Sequence, residues 1–180
     1  QTAVVLKPTD GLSVYAINVE GLSLGKEAPF WTQNGGSWLR PLESRQTEVG
    51  VKFARTDALT LSAALFRTSL PLQYAQPDDS EAGYTFVQDG RQVHTGLELS
   101  ADGQLSERLT LTASASVLQA RARDTGTPAY EGHQLVNVPK RRATVHVDYA
   151  LPFVEGVAVG GGWRYASAKV ATVDRQAGVP

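Results

Sequence analysis

Apolar and small polar residues alternate along most of this chain. Leu109-Thr110-Leu111-Thr112-Ala113-Ser114-Ala115-Ser116-Val117 places an apolar residue at every second position, and Thr60-Leu61-Ser62-Ala63-Ala64-Leu65 does much the same. A period of two is the pattern of a strand with unlike faces. Main strands are predicted over 2–7, 12–20, 43–55, 59–69, 91–101, 109–120, 142–151 and 157–167, with a short one over 84–88. No comparable window carries a helical period. Most of these strands have the length a tilted strand needs to cross a bilayer, about 9–11 residues.

The connections alternate in length. Pro8-Thr9-Asp10-Gly11, Thr56-Asp57-Ala58, residues 102–108 and residues 152–156 are short turns. Residues 21–42, 70–90 and 121–141 read as long polar loops, and the polar tail to Pro180 starts what reads as another. Asp89-Gly90 reads as a type I′ hairpin turn, since both residues tolerate positive φ. Short turns at one end and long loops at the other characterise a transmembrane β-barrel wall.

The two faces of each strand differ. Thr47, Val49, Val51 and Phe53 oppose Gln46, Glu48, Gly50 and Lys52; Val93, Thr95, Leu97 and Leu99 oppose His94, Gly96, Glu98 and Ser100. Val145, Val147 and Tyr149 oppose Thr144, His146 and Asp148, while Val157, Val159, Trp163 and Tyr165 share a face. The apolar faces are expected to carry Tyr15, Tyr149, Trp163 and Tyr165 near strand ends, as an aromatic girdle requires. Glu48, Lys52, Glu98, His146, Asp148 and Arg164 on the other faces suit a wet lumen, since a dry core makes unpaired charges expensive. The same alternation also fits a soluble antiparallel sheet with one face in water.

Composition narrows the classes. The 180 residues carry a net charge of −1, which gives no field to attract nucleic acid. Cysteine is absent, which removes thiolate metal sites and thiol catalysis. No apolar run approaches the length of a transmembrane helix. No basic region followed by an apolar run opens the chain at Gln1, so a mature chain or a segment of a longer one is expected.

No catalytic constellation emerges. His94, His133 and His146 lack local ligand spacing, and a hydrogen bond to a neighbour is the expected role of each. Asp78-Asp79 reads as a solvated turn, and Gly160-Gly161-Gly162 as a close approach, a bend or a plug contact within a strand. Lys140-Arg141-Arg142 has two readings: a solvated strand entry, or a contact with lipopolysaccharide phosphates or an anionic ligand. The long loops hold Phe30, Trp31, Trp38, Tyr74, Tyr84 and Tyr130, and loop aromatics either bind ligand or pack the loops together.

Several segments together carry a family likeness. Residues 43–53, from Glu43 through Glu48 and Gly50 to Lys52 and Phe53, resemble the E-x-x-x-x-E-x-G-x-K strand of TonB-dependent siderophore receptors. Residues 12–16 with Glu20-Gly21-Leu22 are similar to the strand before it, and residues 59–67, ending Ala64-Leu65-Phe66-Arg67, to the strand after it. Thr95-Gly96-Leu97-Glu98-Leu99-Ser100 resembles the R-G-x-E-x-E strand, with Thr95 in place of arginine. Asn137-Val138-Pro139-Lys140-Arg141-Arg142-Ala143 resembles N-V-P-x-H-x-A, with Arg141 in place of histidine, and Gly160-Gly161-Gly162-Trp163-Arg164-Tyr165 resembles G-G-G-x-R-Y. The likeness is nearest to the ferric-hydroxamate branch.

The resemblance implies an all-β fold: about eight antiparallel transmembrane strands, a meander of hairpins, from a 22-stranded barrel. Residues 1–180 are then a partial barrel domain, with the plug domain and remaining strands elsewhere. It implies no enzyme activity, residence in the outer membrane, and uptake of a ferric siderophore captured by loops and plug. The partners implied are TonB acting through the plug, outer-membrane lipid and lipopolysaccharide, with no nucleic acid. Iron is carried by the siderophore, so no cofactor and no protein metal ligands are expected. Residue type and place make Trp31, Trp38, Tyr84 and Tyr130 in loops, and Arg164 on the lumen face, the candidate ligand contacts. Open edges would favour self-association of the segment. The alternatives are a complete eight-stranded barrel with an adhesion or structural role, and a soluble lipocalin-like carrier with its apolar faces turned inward.

Overall fold

A computed structural model of the chain describes residues 1–56, 58–128, 130–171 and 178–179. Eight strands form one antiparallel sheet in sequence order: β1 (Thr2–Thr9), β2 (Leu12–Ser23), β3 (Leu42–Thr56), β4 (Leu59–Pro77), β5 (Tyr84–Ser106), β6 (Leu109–Arg123), β7 (Arg141–Ala150) and β8 (Ala158–Ala166). β9 (Lys169–Val170) and β10 (Gly178–Val179) form a separate two-stranded pair. Every neighbouring pair in the main sheet is a hairpin, and among the described residues β1 and β8 are not paired with each other.

The register carries the sequence alternation straight across the sheet. One row reads Leu6, Val14, Val51, Ala63, Leu99, Ala115, Ala143, Tyr165, one residue from each strand. A neighbouring row reads Leu12, Phe53, Leu61, Ala101, Ala113, Val145, Trp163. Apolar rows run along β6 from Val117 to Leu109, about 27 Å of strand. That is the scale of the roughly 25 Å apolar band of a membrane barrel.

Exposure is inverted relative to a soluble sheet. The apolar face is the open one: Leu65 is 57% exposed, Val117 54% and Trp163 59%. In β2 and β3 the residues of the polar face are half-buried, because the sheet curves around them. A concavity there is lined by Tyr15, Glu48, Ser62, Glu98, Ser116 and Arg142, among others. Among the described residues the buried apolar side chains are Ala28 in a loop and Leu72, Ala120 and Ala122 at the long-loop ends of β4 and β6. The soluble-sheet and lipocalin-like readings both need the apolar face inside, and the curvature puts it outside.

Hydroxyl, amide and carboxyl groups pair across the concave face. Ser62 Oγ and Ser100 Oγ lie 2.7 Å apart, Thr112 Oγ1 donates to Asp102 at 2.8 Å, and His146 Nε2 sits 3.2 Å from Asp148. Tyr15 departs from the sequence reading. It stands opposite Gly50 on the polar face, not on the apolar girdle. The Gly160–Gly162 run is a strand segment in which Asp148 overlies Gly160 and His146 overlies Gly162. Arg141 and Arg142 part company: Arg141 pairs with Val117 on the apolar face, Arg142 with Ser116 on the polar one.

The long-loop end differs most from expectation. β4 and β5 run on to Pro77 and back from Tyr84, so residues 70–90 are mostly strand, and β5 has 23 residues. Asp89-Gly90 is not a hairpin turn. Pro71 pairs with Arg91 and Gln73 with Gln88, so Leu72 faces both Asp89 and Gly90, a β-bulge. Gly90 has φ 68°, and Asp89 Oδ1 accepts its N–H at 2.9 Å. Positive φ at glycine serves a bulge as well as a turn, and the pairing on both sides decides between them. At the short-turn end, residues 10–11, 107–108 and 151–157 connect strands; Asp57 lies outside the described residues, as do 172–177 and Pro180 of the tail.

Candidate functional site

The three connections at the other end fold onto one another. Residues 24–41 cross to the tip of the β4–β5 hairpin. There the Asn34 carboxamide donates to Phe86 O at 2.9 Å and accepts from Phe86 N–H at 2.9 Å, imitating a strand. Gln33 N–H adds a 2.8 Å bond to Tyr84 O. Thr32, buried, closes the loop on itself through Pro29 O.

Residues 124–140 fold back along β6. Ala122 N–H donates to His133 O at 3.0 Å, Gly132 N–H to Ala122 O at 2.9 Å and Leu135 N–H to Ala120 O at 3.0 Å. Thr125, fully buried, gives its N–H to Glu131 Oε2 at 3.0 Å and its hydroxyl to the same oxygen at 3.2 Å. These bonds, with Arg123 nearby, hold the Glu131 carboxyl below the usual carboxylate range, the Thr125 N–H first among them.

The aromatic candidates divide between two places in this cap. The Trp31 and Tyr84 rings meet edge to face, centroids 5.8 Å apart at 82°. The Tyr130 ring packs on Tyr74 at 4.6 Å, and the Tyr74 hydroxyl reaches Thr125 O at 3.3 Å. Burial, then the neighbouring Tyr74 and Tyr84, raises the Tyr130 phenol above its ordinary value. Trp38 stands apart in its loop, bridged through the backbone to Glu27 and 66% exposed. Arg164 lies in β8 opposite Thr144, in the polar row of Ser62, Ser100 and Ser114. That row is six residues, about 20 Å, down the wall from the row of Thr68, His94 and Ala120. So the structure joins Trp31 with Tyr84 and Tyr130 with Tyr74, leaves Trp38 exposed on the first long loop, and sets Arg164 far down the wall.

Beside the Tyr74–Tyr130 pair lies a cavity of about 340 Å3, lined by Lys26, Leu72, Tyr74, Gln92, Tyr130 and His133 among others; Trp31 and Tyr84 do not line it. Tyr74 is a contact the sequence does not promote to a candidate. Its role depends on β4 continuing to Pro77, which a reading of 70–90 as loop conceals. The cavity carries amide, phenol, imidazole and ammonium groups and no carboxylate side chain. It can hold a neutral or anionic oxygen-rich molecule against aromatic surface. Among the described residues no group of three or more His, Cys, Asp or Glu is placed to hold a metal ion.

An outward apolar belt, a curved polar inner face, short turns at one end and an organised loop cap at the other define the wall of a transmembrane β-barrel. The chain belongs to the family described as TonB dependent receptor-like, beta-barrel, which it matches over residues 1–179. It is 29% identical over 163 residues to the ferrichrome receptor FcuA of Yersinia enterocolitica, covering 88% of this chain and 21% of that protein. The structure resembles that of BauA, the ferric preacinetobactin receptor from Acinetobacter baumannii, with a TM-score of 0.79 and 28% identity over 99% of this chain and 27% of the other. The siderophore receptor PiuA from Acinetobacter baumannii shares the fold at a TM-score of 0.77. The chain thus spans about a fifth to a quarter of the length of these relatives. The family is one of outer-membrane receptors, not of enzymes, and its match favours a receptor wall over a small adhesion barrel.

Proposed function

We propose that this chain forms part of the wall and external loops of a 22-stranded outer-membrane receptor for TonB-dependent uptake of ferric siderophores. The observation that carries the reading is the Tyr74–Tyr130 pair in the wall of a cavity at the loop end, with a second aromatic pair, Trp31 and Tyr84, in the same set of loops. Relatives bearing ferric-siderophore names share the wall that supports the cap.

In this reading Trp31, Tyr84 and Tyr130 offer rigid aromatic surface to the arriving siderophore, and Trp38 extends it at the rim. Arg164 acts deeper, on the path through the lumen. Ferric iron keeps the siderophore's own donor atoms, so the receptor supplies surface and hydrogen bonds rather than metal ligands. TonB acts through the plug domain of the same receptor, and β1 and β8 are edges where the remaining barrel strands join; isolated, the same edges favour self-association. The wall does no bond chemistry.

The test is binding of a panel of ferric siderophores to the complete receptor that carries this chain. One or more should bind, and Trp31→Ala or Tyr84→Ala should weaken that binding about tenfold, as expected for aromatic anchors. Phe153→Ala, at the short-turn end, should leave it unchanged. Unaltered affinity in both loop variants would remove the cap from the site.

A further inference from the structure

The first long loop is pinned at a chemically weak pair. Asn34 is followed by Gly35, and it is the one asparagine of the chain with a glycine after it. In such a pair the backbone nitrogen of the glycine can attack the carboxamide carbon of the asparagine. No side chain shields that nitrogen, and the glycine backbone turns freely. A new C–N bond closes a succinimide ring, and the side-chain nitrogen leaves as ammonia with the proton of the glycine N–H. Water then opens the ring at either carbonyl, giving aspartate or its β-linked isomer. Only water is consumed, and nothing is oxidised or reduced.

The fold calls for both residues. The Asn34 carboxamide donates to Phe86 O and accepts from Phe86 N–H, each at 2.9 Å. An amide gives and takes at once, whereas an ionised aspartate only accepts. Gly35 lies against the backbone of Phe30. A Cβ at position 35 would stand 2.9 Å from Phe30 Cα and 3.0 Å from Phe30 O. The labile pair therefore sits where a bridging amide and a residue without a side chain are both required. Gly35 is exposed, so water reaches it.

The docked loop also restrains the reaction. Phe86 holds both ends of the carboxamide, and Gly35 N–H is given to Thr32 O at 2.9 Å. Ser37 donates its N–H at 3.0 Å and its hydroxyl at 2.6 Å to Asn34 O. These bonds fix the peptide between Asn34 and Gly35, which must rotate to bring the glycine nitrogen onto the carboxamide carbon. Attack waits for local opening of the loop. The product cannot restore the latch. A carboxylate at position 34 presents oxygen to Phe86 O where the amide presented N–H, so attraction becomes repulsion. The β-linked isomer also adds a carbon to the main chain and displaces Gly35 from Thr32. We propose that Asn34 is a site of spontaneous deamidation, checked while residues 24–41 are docked on the β4–β5 hairpin and, once converted, releasing them from it. Each conversion is irreversible, so the mark accumulates with the age of the receptor.

The experiment incubates the complete receptor at mildly alkaline pH, folded in detergent and unfolded in denaturant. Mass spectrometry of the peptide that contains residue 34 follows the change from amide to acid, and isotopically labelled water enters the new carboxyl group. Conversion should be at least about tenfold slower in the folded receptor. Asn18 and Asn137, each followed by valine, should remain amides over the same period. Asn34→Asp, which carries the product's carboxylate, should be cleaved by protease within residues 24–41 about tenfold faster than the parent. Equal conversion in the folded and unfolded receptor would overturn the restraint, and an unfolded chain that keeps its amide would overturn the site itself. Cleavage of Asn34→Asp at the parent's rate would overturn the release. These readouts use no siderophore, so they stand apart from the ligand-binding role of the cap.

Discussion

The Tyr15 ring lies across Gly50 on the neighbouring strand, and its hydroxyl donates to Glu48 at 2.7 Å. A side chain at position 50 would enter the space of that ring. Gly50→Val is therefore expected to destabilise the wall by about 1–3 kcal/mol. Gly161→Val, which points into open space on the apolar face, is expected to be neutral. Thermal unfolding of the receptor in detergent measures both. Equal midpoints would mean that Tyr15 does not need the glycine.

Leu99 and Ser100 are adjacent and face opposite ways. Leu99→Arg puts a charge on the apolar belt and should cost about 2–4 kcal/mol if that belt meets the bilayer interior. Ser100→Arg enters the polar concavity and should cost far less. Equilibrium folding into lipid vesicles distinguishes them, and the reverse order of stability would invert the assignment of faces.

Asn34 ties the first long loop to Phe86 by two hydrogen bonds at once. Asn34→Ala leaves two backbone groups of Phe86 to find water, at about 1–3 kcal/mol. Protease cleavage within residues 24–41 should accelerate, and affinity for the siderophore should drop with it. An unchanged cleavage rate would show that Gln33 alone secures the loop.

The second long loop has an acid limit. The Glu131 carboxyl is held low in the folded loop, so its contribution is present above the ordinary carboxylate value and is lost as pH falls through the lowered one. The loop should stay ordered from neutral pH down through the ordinary carboxylate range and loosen only as pH falls below it. A spin label at Pro128→Cys should report this as rising mobility. Glu131→Gln should be mobile at all pH values, and a profile identical to the parent would refute the linkage.

The wall was legible because its rule is local. Side chains at every second position choose a face, and Glu48, Lys52, Glu98 and Arg164 all lie on the face their alternation assigns. Tyr15 was misplaced because its ring suits a girdle equally well; only the register, which sets it against Gly50 and Glu48, shows its role. The cap was harder to read. Trp31 and Tyr84 lie 53 positions apart in the chain, and their meeting depends on Asn34 reaching Phe86. Tyr74 reads as a loop aromatic in the sequence because a bulge and a hairpin ask for the same backbone angles at glycine, and only the pairing shows β4 and β5 continuing past Asp89-Gly90.

The bulge at Asp89 and Gly90 reverses the parity of β5. A residue inserted in a strand moves every side chain beyond it to the opposite face. On the wall side of the bulge the odd-numbered Arg91 and Val93 stand opposite Pro71 and Ser69, and beyond it the even-numbered Gln88 and Phe86 take the same face, opposite Gln73 and Ala75. One alternation therefore assigns the faces of β5 on one side of the bulge only, while β4, which carries no extra residue there, keeps its own alternation throughout.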